Sequence, residues 1–314
     1  MLRYVAMRVL STIPVMAVVA LFVFAMLRLA PGDPAAVIAG DYATTEDVER
    51  IRESLGLNEP IVIQFWHWIG ALAQGDLGTS IFTNLPVTTL IGQRLEPTLL
   101  LALTTLIFAI LVAVPLGTIA AWKANSLVDR FVMLFSVGGF SIPVFVLGYL
   151  LIYVLAMELR WLPVQGYKSP FVDGIGPFLR HIILPTLTLS VIYIALIARI
   201  TRAAVIEVLQ EDYIRTARSK GQSEVKILLT HALKNAAVPI VTVIGIGIAL
   251  LIGGVVVTES VFNIPGLGRL VLDAVLARDF PIIQGLILFF SFVYIMINLL
   301  IDLSYTLFDP RIRY

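Results

Sequence analysis

The side chains that could do chemistry in this sequence are few, and they gather between Arg199 and Lys234. Seven Lys and Arg lie in that interval, against Glu207, Glu211, Asp212 and Glu224. Bond-making sets are missing: there is no Gly-x-Ser-x-Gly nucleophile turn, no His-Glu-x-x-His pair and no paired intramembrane acids. A Gly-x-x-x-x-Gly-Lys-Ser/Thr phosphate loop is absent too, so nucleotide hydrolysis is not expected of this chain. His67, His181 and His231 stand singly, as satisfied interfacial histidines do rather than metal ligands. Zero cysteines rule out disulfides, a thiolate nucleophile and a Cys-based metal site. What the interval offers is charge presented on a shaped surface.

Its shape follows from periodicity. Ile206, Leu209, Tyr213 and Ala217 recur at helical spacing, Gly221 interrupts, and Val225, Leu228, Leu229, Ala232 and Leu233 resume the pattern. Helix, glycine corner, helix is the expected form, because glycine reaches positive φ without a Cβ clash. Such an elbow is a rigid knob for a soluble partner.

The elements that must position the elbow are membrane spans. The 314 residues are 59% hydrophobic and 14% charged, with mean hydropathy +0.96, too apolar for a water-facing surface. A net charge of +1 gives no reason to expect nucleic acid. Six runs free of Asp, Glu, Lys and Arg reach spanning length: 9–27, 97–122, 131–157, 181–198, 235–258 and 280–301. Helices are the economical reading, since a spanning helix satisfies its own backbone, and no alternating barrel pattern occurs. The first run exceeds a signal-peptide core, and Arg28 with Pro31-Gly32-Asp33-Pro34 makes no good cleavage site, so an uncleaved span is expected.

Lys and Arg set the expected orientation. With the N-terminus inside, the cytoplasmic segments hold Arg3, Arg8, Lys123, Arg130, the seven of the central loop, Arg311 and Arg313. Both termini and the elbow then face the cytoplasm. A basic loop needs no function beyond that rule. The loop after the first span is too long for a mere connection. Within it Thr45 is the expected N-cap of a helix ended by Gly56, with Val48, Ile51 and Leu55 as its apolar stripe. Trp66 and Trp68 suit a membrane interface, and Gly75-Asp76-Leu77-Gly78-Thr79-Ser80 reads as a turn. Pro115, Pro143, Pro185 and Pro239 are expected kinks. Gly245, Ala249 and Gly253 form one small-residue face for close helix contact. No Asp, Glu, Lys or Arg stands inside the six runs, which weakens ion-coupled and voltage-sensing readings.

The elbow resembles a known signature. Glu211-Asp212-Tyr213-Ile214-Arg215-Thr216-Ala217-Arg218-Ser219-Lys220-Gly221, then His231-Ala232-Leu233-Lys234-Asn235-Ala236, is similar to the cytoplasmic motif of binding-protein-dependent ABC importer permeases, dipeptide and oligopeptide "B" type. Pro31-Gly32-Asp33-Pro34, Gly75-Asp76-Leu77-Gly78, Asn263-Ile264-Pro265-Gly266-Leu267-Gly268, Asp279-Phe280-Pro281 and Asp309-Pro310-Arg311-Ile312-Arg313 extend the resemblance nearly end to end. Registered on Gly221, the family's Glu-Ala-Ala is Arg215-Thr216-Ala217 here, and its Ile-x-Leu-Pro is His231-Ala232-Leu233-Lys234. Ala217, Gly221 and Leu233 keep the pattern. The family's glutamate contact does not carry over to Arg215; Glu211 and Asp212, one turn earlier, are the nearest acids.

The resemblance implies an all-α polytopic membrane protein with six transmembrane helices in the type I importer topology and a small extracytoplasmic cap between helices 1 and 2. The expected division is residues 1–29 as the N-terminal span, 30–96 as the cap loop, 97–305 as a five-span permease core with its coupling loop at 200–234, and 306–314 as a cytoplasmic tail. It implies a coupling site at Glu211, Asp212, Tyr213, Arg215, Thr216, Ala217, Arg218, Ser219, Lys220 and Gly221. The implied partners are a second homologous permease, two ABC ATPase subunits and an extracytoplasmic solute-binding protein, in a bacterial or archaeal cytoplasmic membrane. No cofactor is expected in this chain, since ATP and Mg would be bound by the ATPases. The implied cargo is a di- or oligopeptide, or a related solute such as glutathione or a nickel chelate. The competing reading is a stand-alone ion-gradient-driven secondary transporter or channel.

Overall fold

Long apolar runs become long helices, and their ends fall where capping chemistry permits. The computed structural model describes residues 2–29, 33–40, 43–54 and 56–308. Pro31, Gly32, Leu55 and the motif at 309–313, with Arg311 and Arg313, lie outside the described residues, as do the side chains of Arg3 and Arg28. In order the helices are α1 (Leu2–Leu29), α2 (Pro34–Ala39), α3 (Thr45–Ser54), α4 (Ile61–Ala73), α5 (Val87–Trp122), α6 (Leu127–Ser141) and α7 (Val144–Leu151). They continue with α8 (Ile175–Leu209), α9 (Asp212–Ser219), α10 (Glu224–Lys226), α11 (Leu233–Asn235), α12 (Ala237–Val261), α13 (Leu267–Ala277) and α14 (Phe280–Phe308). Wide π-helical turns extend α7 through Ile152–Glu158 and join α10 to α11 through Ile227–Ala232.

Among the described residues four helices, α5, α8, α12 and α14, are each long and apolar enough to cross a membrane. The run 131–157, expected as one kinked span, is instead broken at Ile142-Pro143. There α6 and the α7 segment Val144–Glu158 meet at 103°, and they make a fifth span if taken together. Proline supplies no N–H and disfavours helix at the residue before it, so Ile142 is extended (φ −93°, ψ 121°). Pro115 and Pro185 stay inside continuous helices, and Pro239 sits in the first turn of α12, where its missing N–H costs nothing. The run 9–27 lies within α1.

The chain divides into two compact units. One holds residues 97–268 and the chain from 297 on. Its hub is α8. Of its most apolar window 67% is buried, against 22% for α5 and 33% for α12. Glycines let the neighbours approach: Gly117 of α5 lies on the Ala198 carbonyl and Thr201, Gly139 of α6 on Val191 and Ala195, and Gly148 of α7 on Thr188 and Val261. On α12 the expected small face is corrected. Gly245 does pack, against Ile301, but Gly253 faces open space, and the contacts to α8 are made by Gly247 and Gly254 against Tyr193 and Leu189. A side chain on Gly254 would clash with Leu189, whereas Gly253 could carry one.

The other unit holds residues 2–96 and 269–296. Here α3 is capped one residue earlier than expected. Thr44, not Thr45, takes the Asp47 N–H at 3.2 Å, while the Asp47 carboxylate accepts from the Thr44 hydroxyl at 2.7 Å and its N–H at 3.2 Å. That hydroxyl bond holds the Asp47 carboxyl below the usual carboxylate range. Gly56 ends the helix as expected, at φ +62°. Trp68 packs on Phe24 with ring centroids 5.7 Å apart, and Trp66 is exposed. Two motifs distant in sequence meet. The turn after Gly75 is closed by the Gly78 N–H on Asp76 at 2.8 Å, and Ser80 donates to the buried Asp279 at 2.6 Å. Gly78 lies against Pro281, and Gly285 against Leu77 and Val87.

Candidate functional site

The elbow grows out of the hub helix. α8 runs 35 residues and ends at Gln210; Glu211 is extended, and α9 starts at Asp212. The stripe expected to run on through Tyr213 is therefore interrupted. The residue that anchors α9 is Ile214, which the sequence pattern missed. Ile214 and Ala217 pack with Ile227 and Leu209 in a small core of their own, and Tyr213 is left 42% exposed. A turn between α8 and α9 moves the inward position from Tyr213 to Ile214 while Ala217 keeps its place, which spacing across Gln210 could not reveal.

The corner itself is a complete helix stop. Gly221 sits at φ +77°, its N–H donates to the Arg218 carbonyl at 2.9 Å, and the Gln222 N–H donates to the Ala217 carbonyl at 3.3 Å. These two bonds satisfy carbonyls that the helix end would leave open. A Cβ on Gly221 would meet no atom within 4 Å, so the requirement is backbone angle and not space.

Three side-chain ties then fix the angle between the arms. Arg218 holds Glu224 with two bonds of 2.8 and 3.2 Å, and this carboxylate raises the guanidinium above its already high ordinary value. His231 Nε2 meets Gln222 Oε1 at 2.9 Å, and Asn235 donates to the Tyr213 hydroxyl at 2.9 Å. His231 thus has an ordinary partner, like His181 on the Pro177 carbonyl and His67 beside Glu59. Among the described residues no cluster of three or more His, Asp or Glu could hold a metal.

With the core side anchored, the opposite side of α9 presents Asp212, Arg215, Thr216, Ser219 and Lys220, all exposed. Asp212 and Arg215 form an open pair at 3.4 Å, and Glu211 is exposed at the helix start without capping it. Of the expected site residues only Ala217 is buried. In the second arm Leu228 and Ala232 are buried, while Val225 and Leu229 are exposed.

One ion pair behind the elbow was not foreseen. Asp129, buried at the start of α6, is gripped by the Arg202 guanidinium of α8 through Nε and, at 2.7 Å, through Nη2. Asp129 also accepts the Asn125 N–H at 2.8 Å, and its own N–H reaches Ser126 at 3.4 Å. Ser126 followed three residues later by an acid is the sequence pattern of a capping box, the one local signal for this pair, although the carboxylate takes the Asn125 N–H and not that of Ser126. The partner lies 73 residues on, beyond any local pattern. Arg202 stands two turns before the end of α8, so the pair ties α6 to the helix that carries the elbow.

Comparison with known proteins bears on this arrangement. The sequence matches the family described as binding-protein-dependent transport system inner membrane component over residues 113–314, and that component's N-terminal family over residues 1–102. The probable peptide ABC transporter permease protein y4tP of Sinorhizobium fredii is 58% identical over 311 residues, 99% of either chain. The glutathione transport system permease protein GsiC of Escherichia coli is 46% identical over 314 residues, 100% of each. Among solved structures, a chain of the inward-facing MetNI methionine ABC transporter superposes with TM-score 0.57 at 16% identity, covering 71% of this chain and 97% of that one. That likeness is one of fold. Because the family matches cover both ends of the sequence and the relatives align over its full length, the chain belongs to the inner-membrane permease components of ATP-driven, binding-protein-dependent ABC importers.

Proposed function

We propose that α9 and the corner at Gly221 are the coupling helix of this permease, and that its cargo is a di- or oligopeptide or a related small solute such as glutathione or a nickel chelate. The observation that carries the coupling role is continuity. The most buried helix of its unit, α8, runs out into the elbow, so a push on α9 acts on the hub against which α5, α6, α7 and α12 pack. The charged outer side of α9 suits a cleft in an ATPase subunit, and its fixed corner lets it transmit force. In this reading six spans place both termini and the elbow in the cytoplasm, and residues 30–96 form an outer cap. A second, homologous permease completes the pathway. Two ATPases bind ATP and Mg, and a solute-binding protein delivers cargo from outside. ATP-driven closure brings the elbows together and tilts the spans from inward-facing to outward-facing, the two states a transport cycle requires. The names of the relatives support the cargo class; the receptor sets its identity.

The test uses the absence of native cysteine. Ser219→Cys, paired with a cysteine in the ATPase cleft, is expected to cross-link in an assembled, active complex. No cross-link in a complex that still transports would remove the contact.

A further inference from the structure

The far end of α12 holds a carboxylate that the transport reading does not use. Glu259 is fully buried, two residues before the helix ends at Val261. The Thr98 hydroxyl donates to its Oε1 at 2.5 Å, and the same oxygen of Thr98 accepts the Leu267 N–H at 2.7 Å. A backbone N–H can only donate, so it occupies a lone pair of the hydroxyl while the hydroxyl proton turns toward the carboxylate. The relay joins residues 161 positions apart, at the start of the second expected span and the end of the fifth.

The turn after α12 is built to fit this group. The Ile264 N–H donates to the Glu259 carbonyl at 2.9 Å, and Phe262, Ile264 and Leu267 are buried. Gly266 lies so close that a Cβ there would fall inside both carboxylate oxygens, and one on Gly268 would meet the Val256 backbone. An apolar side chain at 259 would bury without the desolvation that a carboxylate suffers.

We infer that Glu259 is a positioning residue, which through Thr98 bolts the 262–268 turn to the start of one span and the end of another so that they move as one body. Resting on the permease reading, and on the family resemblance that has the solute-binding protein seat on the loop 262–280, the inference gives the turn a mechanical role, in which load applied to it reaches α5 and α12 together. Without the relay the turn keeps its backbone bond to the Glu259 carbonyl but loses its tie to Thr98, so load on it would reach α12 and not α5.

The test reconstitutes this permease with its partner permease, ATPases and solute-binding protein, the last loaded from a tryptic casein digest. Basal and receptor-stimulated ATP hydrolysis are measured separately. Thr98→Val keeps the shape and removes the hydroxyl that carries the relay; it is expected to lower the stimulated-to-basal ratio about fivefold, with the basal rate unchanged within about twofold. Glu259→Leu should do the same, while Glu259→Gln and Thr98→Ser, which keep an acceptor and a hydroxyl in place, should restore the ratio. Should Glu259→Leu fail to assemble, Thr98→Val decides alone. A normal ratio in Thr98→Val, or no rescue by Thr98→Ser, overturns the inference. A wild-type complex whose ATP hydrolysis ignores the receptor would instead count against the transport reading itself.

Discussion

At the scale of single residues, the elbow depends on a backbone angle at Gly221. Its neighbours leave room for a side chain, so any loss on substitution reports φ alone. The left-handed region costs an L residue about 1–2 kcal/mol, which shifts the corner's folded population by about five- to thirtyfold. Gly221→Val is expected to impair receptor-stimulated ATP hydrolysis while membrane insertion stays intact. Gly221→Ala should fall between it and wild type, and Gly221→Asn, which tolerates this region, should be the mildest. Equal stimulated hydrolysis in wild type and the valine variant would refute the ordering. Gly221 and Gly56 were legible because a helix stop is local chemistry: the residue and the bonds it serves lie within five positions. Ile214 was not, because the α8–α9 turn resets the phase of the stripe. Thr44 and Thr45 are chemically alike, and only the geometry of Asp47 distinguishes them.

Among helices, the informative pair is Asp129–Arg202. It holds the start of α6 to α8 where α8 leaves for the elbow. Removing one partner strands the other in a poorly solvated site. Because Arg202 keeps 23% of its side chain exposed, Arg202→Met is expected to cost about 2–3 kcal/mol, less than for a fully buried pair. Asp129→Leu combined with Arg202→Met should recover most of it, since two apolar groups need no partner. Thermal unfolding of the four variants in detergent gives the coupling energy. Additive losses would mean the pair does not act as a unit. The long helices were legible from their missing charges. This pair, the Thr98–Glu259 relay and the glycines of α12 that face Tyr193 were not. Partners 73 or 161 residues apart are chosen by the fold, and every glycine on a helix reads alike until a neighbour is known. Glu259 is hidden for a further reason: as the first charge after the run 235–258 it marks where the run stops, whereas the helix itself continues to Val261.

For the whole subunit, the consequence of the fold is dependence. The chain carries a knob, a hub and several spans, but no nucleotide loop. Reconstituted alone in liposomes, it is therefore expected to show no uptake of tritiated dipeptide driven by a proton or sodium gradient. Uptake under those conditions would favour the secondary-transporter reading over the permease one. End-to-end motif order made the family legible from residues, because several short patterns at proper spacing constrain far more than any one.

The sharp break at Ile142-Pro143 leads further. Helices leave their last carbonyls and first amides open, and the first amides of α7 have no side-chain cap. Hydrocarbon offers such groups nothing, at a cost of several kcal/mol each. Phe140, Ser141, Ile142 and Pro143 are all exposed on this subunit. That corner cannot rest against lipid tails: its open amides and carbonyls need either water or another polypeptide to meet them.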